Sequence, residues 1–567
     1  MNEIGSNTGK RLSAAVRWIL ERPLFVVLIA HSLFSIGIWN ARDGYGEETS
    51  PVIYATMVLQ GQRSDPSLYV NLIALTLRYL TADPVGALTF VKYLSSLLAT
   101  IALCLTLNCF TPLLRRSGIM FACFVWIASS LNAPFLQSSS LSLFTFAIML
   151  LGVNCLLRSE SLPGLVGFYV LGVAAALMRP EYYLPVVLVS LPVAGVLIYR
   201  VSSAVESRYG LARYWSCGLA LLLFVGGGVA IMRNPPAALE KKLASIDQYA
   251  LFGFGQCYAD FYRRSHPEEI FDPMTEYETI LNRNFGEPES LVSAIKNNPG
   301  EALNYFFRNT AGNLFHYFPR AMFARFRDQS EEVDKRFSRL VHSFYFLAGV
   351  ALAFRLFQRR VIFSGLIQKL KAGLARPRSL TRKLLLLLVL VSTSSVAIIM
   401  LVGTPRYFLP WVPLFYLGVA YSADALFSLF RMVRFEAWLL PVAGLFYCRP
   451  NYLKPRPNYE MDAVQQVGVH VRDRPRIAAW WADPNVALGF GGNAVAVNSS
   501  DGINQADIEN GHIDILMVDG NLRGTRTWTS QKEFFGSFEE QPEKYGFKKL
   551  VDHPSGRFDV YYRPDDQ

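Results

Sequence analysis

Three carboxylates, Asp43, Glu47 and Glu48, fall within six positions of one another, directly after an apolar run over 24–39. Acids gathered at the mouth of an apolar run are either solvated loop residues or the working groups of a site. As working groups they would accept a proton from an attacking hydroxyl. The same oxygens would also suit a divalent ion. Two arginines occupy comparable places. Arg179, with Glu181 behind it, ends the run 162–178, and Arg406-Tyr407 follows the run 384–402. A guanidinium there either snorkels to bulk headgroups or offers a planar fork to phosphate oxygens.

The elements that must position these groups follow from composition. Of 567 residues, 52% are hydrophobic and 17% charged, below the usual quarter for a soluble domain. Apolar runs recur at 24–39, 85–110, 119–131, 141–157, 162–178, 184–199, 215–232, 340–356, 384–402, 408–427 and 437–447. Most approach bilayer-crossing length, which gives about eleven transmembrane helices. Basic residues gather at alternate turns: Lys10, Arg11, Arg17 and Arg22, then Arg115-Arg116, Arg158, Arg200 to Arg213, Arg359 to Lys383, and Arg431 with Arg434. That pattern puts the N-terminus in the cytoplasm and the acids and both arginines outside. It also accounts for the +11 net charge, so nucleic acid is not an expected partner. The run 359–383 would in addition suit anionic lipid heads.

The predicted fold is an α-helical polytopic membrane protein with a long outward loop and a small C-terminal α/β domain outside the membrane. Residues 1–23 form a cytoplasmic N-terminus and 24–448 the transmembrane domain, and 449–567 form the outer domain. Within the middle part, 40–84 is a first outward loop and 233–339 a large one, too long for an idle connection. The first loop is expected to carry interfacial helices over 51–59 and 69–80, the latter with Leu72, Leu75, Leu77 and Leu80 as its apolar side. In the second, Asn298 and Pro299 read as a helix start, with Leu303, Phe306, Phe307 and Thr310 at helical spacing. Strand-like runs stand at 477–481, 494–497, 513–518 and 558–562. Gly489-Phe490-Gly491-Gly492 lacks the spacing of a dinucleotide fingerprint and reads as a turn. Of seven cysteines, only Cys257 and Cys448 lie on the far side, and no metal-binding spacing is present. The first run reads as a signal anchor, with no small-residue cleavage site behind it.

In combination these features resemble the GT-C superfamily of membrane glycosyltransferases, in particular its family 39-like branch of protein mannosyltransferases and lipid A aminoarabinose transferases. The resembling residues are the acidic pair Glu47-Glu48 opening the first outward loop, then Tyr54-Ala55, Gly61 and Tyr69. Arg179 after an outward span and Arg406-Tyr407 with Pro410 and Pro413 complete the set. The resemblance covers roughly 23–427 and leaves the tail aside. It departs at the acidic pair, where the family normally leads with aspartate; Asp43 is then an alternative equivalent.

The resemblance implies a hexosyl or pentosyl unit carried on a polyprenyl phosphate and passed to a lipid, glycan or protein acceptor on the outer face of a bacterial inner membrane. Glu47 is the expected base, with Asp43 or Glu48 as alternatives, and one displacement implies inversion. Arg406, Arg179 and Tyr407 would hold the lipid phosphate, which as a good leaving group needs charge stabilisation more than a proton. Tyr69, His316, Arg320 and Glu181 are candidate substrate contacts, although an interfacial tyrosine and a packed or surface histidine are the plainer readings of Tyr69 and His316. No cofactor or metal is expected. Two other classes compete. A lipid-linked glycan flippase would favour ionisable groups in mid-membrane, and the span centres look almost free of charge. A ligase acting on a pyrophosphate-linked glycan would suit the same acids and arginines, but the large loop is poor in histidine.

Overall fold

The structure is a computed structural model. It describes residues 22–39, 67–81, 84–111, 113–127, 140–158, 162–179, 246–269, 276–314, 378–400, 405–429, 476–478, 495–497, 503–523, 530–550 and 558–564, with isolated positions between them. The described chain is mostly helical. In order come α1 (Pro23–Trp39), α2 (Leu68–Tyr79), α3 (Pro84–Asn108), α4 (Arg116–Ile127), α5 (Ser140–Arg158) and α6 (Leu162–Met178). Then follow α7 (Ile246–Ser265), α8 (Tyr277–Phe285), α9 (Leu291–Asn297), α10 (Pro299–Gly312), α11 (Arg378–Met400), a 3-10 turn (Pro405–Trp411) and α12 (Val412–Leu429). The tail contributes β1 (Arg476–Ala478), β2 (Val495–Val497), α13 (Gln505–Glu509), β3 (Ile515–Asp519), α14 (Gly520–Arg523), α15 (Lys532–Glu540), β4 (Lys548–Lys549) and β5 (Phe558–Tyr562). The runs expected at 184–199, 215–232, 340–356 and 437–447 lie wholly or mostly outside the described residues.

Two compact units result. One joins Met1–Gly37, Tyr93–Phe271 and Tyr277–Tyr452; the other joins Ile38–Lys92, Asp272–Glu276 and Leu453–Gln567. Residues of the first outward loop thus group with the tail.

The burial pattern of the helical unit is reversed from that of a water-soluble bundle. On α1, Phe25, Ile29 and Leu33 are exposed, while His31 and Ser35 are buried beside Val27. On α11, Leu385, Leu388 and Ile399 are exposed and Ser394 is buried. Apolar side chains outward and polar ones inward suit a hydrocarbon solvent, where buried polar groups bond one another. Among the described residues, two helices, over Gly86–Asn108 and Leu141–Arg158, are long and apolar enough to cross a bilayer.

Apolar surroundings give such helices little drive to associate, so they pack through small residues and interhelical hydrogen bonds. In the α5–α6 pair, a Cβ on Gly152 would stand 3.3 Å from both Leu171 Cβ and the Phe168 carbonyl oxygen. Asn154 of α5 donates to Thr106 Oγ1 (2.8 Å) and to the Ala102 carbonyl (3.0 Å) of α3. Between α4 and α12 the approach is closer still. A Cβ on Gly118 would meet Asp424 Oδ1 and lie 2.5 Å from the Ala420 carbonyl oxygen. Buried Asp424 accepts the Arg115 amide at 2.5 Å, capping α4 from another helix.

Asn132, beyond the end of α4, is buried and bonded to the middle of α3. Its Oδ1 accepts from Ser96 Oγ (3.1 Å), which in turn lies 2.8 Å from His31 Nε2, and its Nδ2 donates to Thr100 Oγ1 (3.3 Å). With 12 residues, α4 rises about 18 Å, short of the ~30 Å hydrocarbon core. Its end therefore falls among neighbouring helices, where an amide must find partners.

Within the large loop, α7 to α10 enclose their own core of Phe254, Tyr258, Ile280, Leu281, Phe285 and Tyr305. Asn298 caps α10 by accepting the Glu301 amide, with Pro299 in the first turn, as the sequence indicates. Tyr258 donates to Glu301 Oε1 at 3.0 Å, and burial followed by that carboxylate pushes its phenol well above the usual range. Gly255 leaves room for the Tyr277 ring, whose phenol burial and Glu278 push up to about 12.

In the other unit, α2 buries Tyr69, Val70, Ile73 and Ala74 and exposes Leu68, Leu75, Tyr79 and Leu80. Both of its sides are apolar, and Leu72 and Leu77 are only half-buried. The tail forms one five-stranded sheet in the order β2-β1-β3-β5-β4, parallel from β2 to β3 and antiparallel from β3 to β4. Each of the four strand-like runs overlaps one of these strands, and β4 falls in none of them. Arg563 fastens the sheet's far end: it donates to the carbonyls of Ile508 (3.0 Å) and Tyr545 (3.3 Å) and lies 4.8 Å from the Phe547 ring centre. It sits beside Gly511 and Gly546, whose φ angles of +66° and +78° favour glycine. Burial works against the Asp559 carboxylate, but Lys549 and Arg523 outweigh it and hold its pKa below the ordinary value.

Two outcomes follow from this packing. Gly118→Ala forces α4 from α12 and is expected to cost about 1–3 kcal/mol or more, read as a lowered unfolding midpoint of the purified protein. For Asp559 the folded pKa lies below the unfolded one, so its contribution is present above about pH 4 and lost as pH falls through the folded value. Hydrogen-exchange protection of β5 amides should therefore fall with acidification in wild type and respond less to pH in Asp559→Asn.

Candidate functional site

Arg179 closes α6, its amide donating to the Ala175 carbonyl at 2.9 Å. The side chain leaves the helix end and crosses to α5, where Nη1 donates to Ser142 Oγ. Ser142 is buried, and Thr145 one turn on meets Met178 Sδ. A guanidinium gripped by a hydroxyl is held in one orientation, which is what a phosphate-binding fork requires.

The 3-10 turn that carries Arg406 and Tyr407 packs against the same helix, α5, and against α11 and α12. Its form follows from its prolines. Pro405 opens it, and Pro410, lacking an N–H, prevents an α-helix from running through until Val412. Phe408 and Leu409 are buried and anchor the turn, while Tyr407 is half-buried. Two arginine-bearing segments far apart in sequence thus meet one helix.

Tyr69 is fully buried among the inward residues of α2, a packed position. Asp43, Glu47, Glu48, Glu181, His316 and Arg320 lie outside the described residues, as does the side chain of Arg406. Among the described residues no group of three or more His, Cys, Asp or Glu could hold a metal, and the acidic loop is not one of the segments described.

Reading runs by average hydropathy passed over several ionisable groups. Lys92 is 2% exposed within α3, and His31 and Asp424 are similarly buried. A buried ammonium needs a strong polar or anionic partner, and an ionisable residue inside an apolar run was the sequence signal for it. Lys92 belongs to the same unit as α2.

No family profile matches the sequence, and no curated protein matches it. Among solved structures, the chain is similar to ArnT from Cupriavidus metallidurans bound to undecaprenyl phosphate, at 10% identity and a TM-score of 0.39, over 97% of this chain and 99% of that one. The apo state of the same protein gives 11% identity and a TM-score of 0.38, over 97% and 98%. The oligosaccharyltransferase from Archaeoglobus fulgidus in its apo form gives 11% and 0.43, over 88% of this chain and 69% of that one. At these identities and scores the likeness fixes neither activity nor substrate.

A charge-assisted hydrogen bond is worth about 1.5–3 kcal/mol. Arg179→Gln removes such a bond to Ser142 and is accordingly expected to lower the unfolding midpoint of the purified protein.

Proposed function

We propose that this chain is a membrane glycosyltransferase that moves a hexosyl or pentosyl unit from a polyprenyl-phosphate carrier to a hydroxyl-bearing acceptor at the outer face of a bacterial inner membrane. The observation that supports it most is that the Arg179 side chain and the turn bearing Arg406-Tyr407 both contact α5. A lipid phosphate has its headgroup at such an edge, and two guanidinium groups from separate segments would neutralise the charge that develops on it.

The chemistry then divides between two ends of one bond. A carboxylate of the first outward loop, Glu47 foremost and Asp43 or Glu48 otherwise, takes the proton of the acceptor hydroxyl as its oxygen attacks the anomeric carbon. The bond from that carbon to the phosphate oxygen breaks on the opposite side, so the configuration inverts. Arg179 and Arg406, with Tyr407, receive the leaving phosphate. Neither a metal nor a cofactor is needed for this division of labour, since the carrier is a monophosphate and its charge is met by arginine.

Transfer from synthetic polyprenyl-phosphate sugars by purified protein tests the reading. Glu47→Gln is expected to lower the rate by about 10²–10⁴-fold at unchanged donor binding, with Asp43→Asn and Glu48→Gln examined in parallel. Wild-type rates in all three variants would remove the loop acids from the chemistry, and an absence of transfer from any such donor would remove the function.

A second reading draws on the buried Lys92 and His31, groups that a carrier of lipid-linked glycans would use in mid-membrane. Turnover in a vesicle flipping assay without any transfer would favour it.

A further inference from the structure

We propose that α10, outside the spans, lays an apolar stripe into the outer leaflet of the bilayer and so fixes the α7–α10 insert against the membrane surface. Leu303, Phe307, Thr310 and Leu314 follow one another at i, i+4, i+7 and i+11 along one side of this helix. This side is not the one that builds the insert's core, which takes Ala302 and Tyr305. Phe307 is 82% exposed and Leu303 66% exposed, while Asn304 and Arg308 are exposed on the adjoining side. A single bare leucine is ordinary on a protein surface, but a phenylalanine and a leucine one turn apart, next to a polar border, form an amphipathic helix lacking its apolar solvent.

The occupant is identified by what α10 is fastened to. Asn309 Nδ2 donates to the Ile399 carbonyl at 2.9 Å, near the end of α11. That helix starts with Arg378, Arg382 and Lys383, so its basic start marks the inner side and Ile399 the outer. Ile399 is itself exposed, in line with Leu385 and Leu388 along the side that α11 turns to lipid. Helix α10 is therefore fastened level with the outer end of α11, and its stripe lies on the side turned away from Asn309. A lipid interface meets both, with acyl chains against Phe307 and Leu303 and headgroup phosphates within reach of Arg308.

This inference rests on the membrane reading of α11, and the test separates the two. In full-length protein reconstituted in phosphatidylethanolamine–phosphatidylglycerol nanodiscs, a nitroxide is attached at position 307, 303, 304 or 388 through an encoded ketone amino acid, which spares the native cysteines. Collisions with oxygen and with a water-soluble nickel chelate are compared. Positions 307 and 303 are expected to favour oxygen severalfold over position 304, with 388 favouring it more strongly still. If 388 favours oxygen while 307 and 303 match 304, α10 stands in water and the inference is overturned. If 307 and 303 are shielded from both reagents, protein covers the stripe and the inference is equally overturned. A water-like 388 would overturn the membrane reading itself.

Discussion

The buried carboxylate of Asp424 joins α4 to α12. It caps α4 through the Arg115 amide and sits against Gly118, where no side chain intervenes between two helices separated by some three hundred positions in sequence. In such surroundings the amide at a helix start supplies part of what water would have supplied to the carboxylate. Once that end is fixed, the rest follows along both helices. At its other end α4 hands the chain to Asn132 and its hydrogen bonds with α3, and α12 begins at the turn that carries Arg406.

Much of this architecture was legible in the sequence, for physical reasons that differ from element to element. Helices α1, α3, α5, α6 and α11 coincide with apolar runs because continuous hydrophobicity needs only a count, and the start of α10 was legible because Asn298-Pro299 has one sensible place in a helix. Strand β5 matches its predicted run end to end. The site was legible only in part. Arg179 could be placed at a helix end, but nothing in the letters announces that its partner is Ser142 across a hairpin. Averaging over windows concealed Lys92, His31 and Asp424, since one charge in an apolar stretch barely moves the mean.

The α7–α10 insert and the helical bundle obey opposite solvents. In the insert, tyrosines and phenylalanines gather inward, and the Tyr258 hydroxyl is answered by Glu301. In the bundle, leucines and isoleucines turn outward and amides turn in. A chain that switches convention within one compact unit must have a border where both apply, and the Asn309–Ile399 hydrogen bond lies on it.

The tail's strand order carries a consequence for how the protein is made. Strand β5 is the last of the five along the chain, yet it occupies an interior place between β3 and β4, and Arg563 directly after it ties down two glycine turns. A ribosome releasing this segment cannot leave the sheet to mature early, because β3 and β4 have no common neighbour until 558–562 has emerged. Closure of the sheet therefore waits on β5, and a message broken shortly before that point would leave β3 and β4 without the strand that joins them.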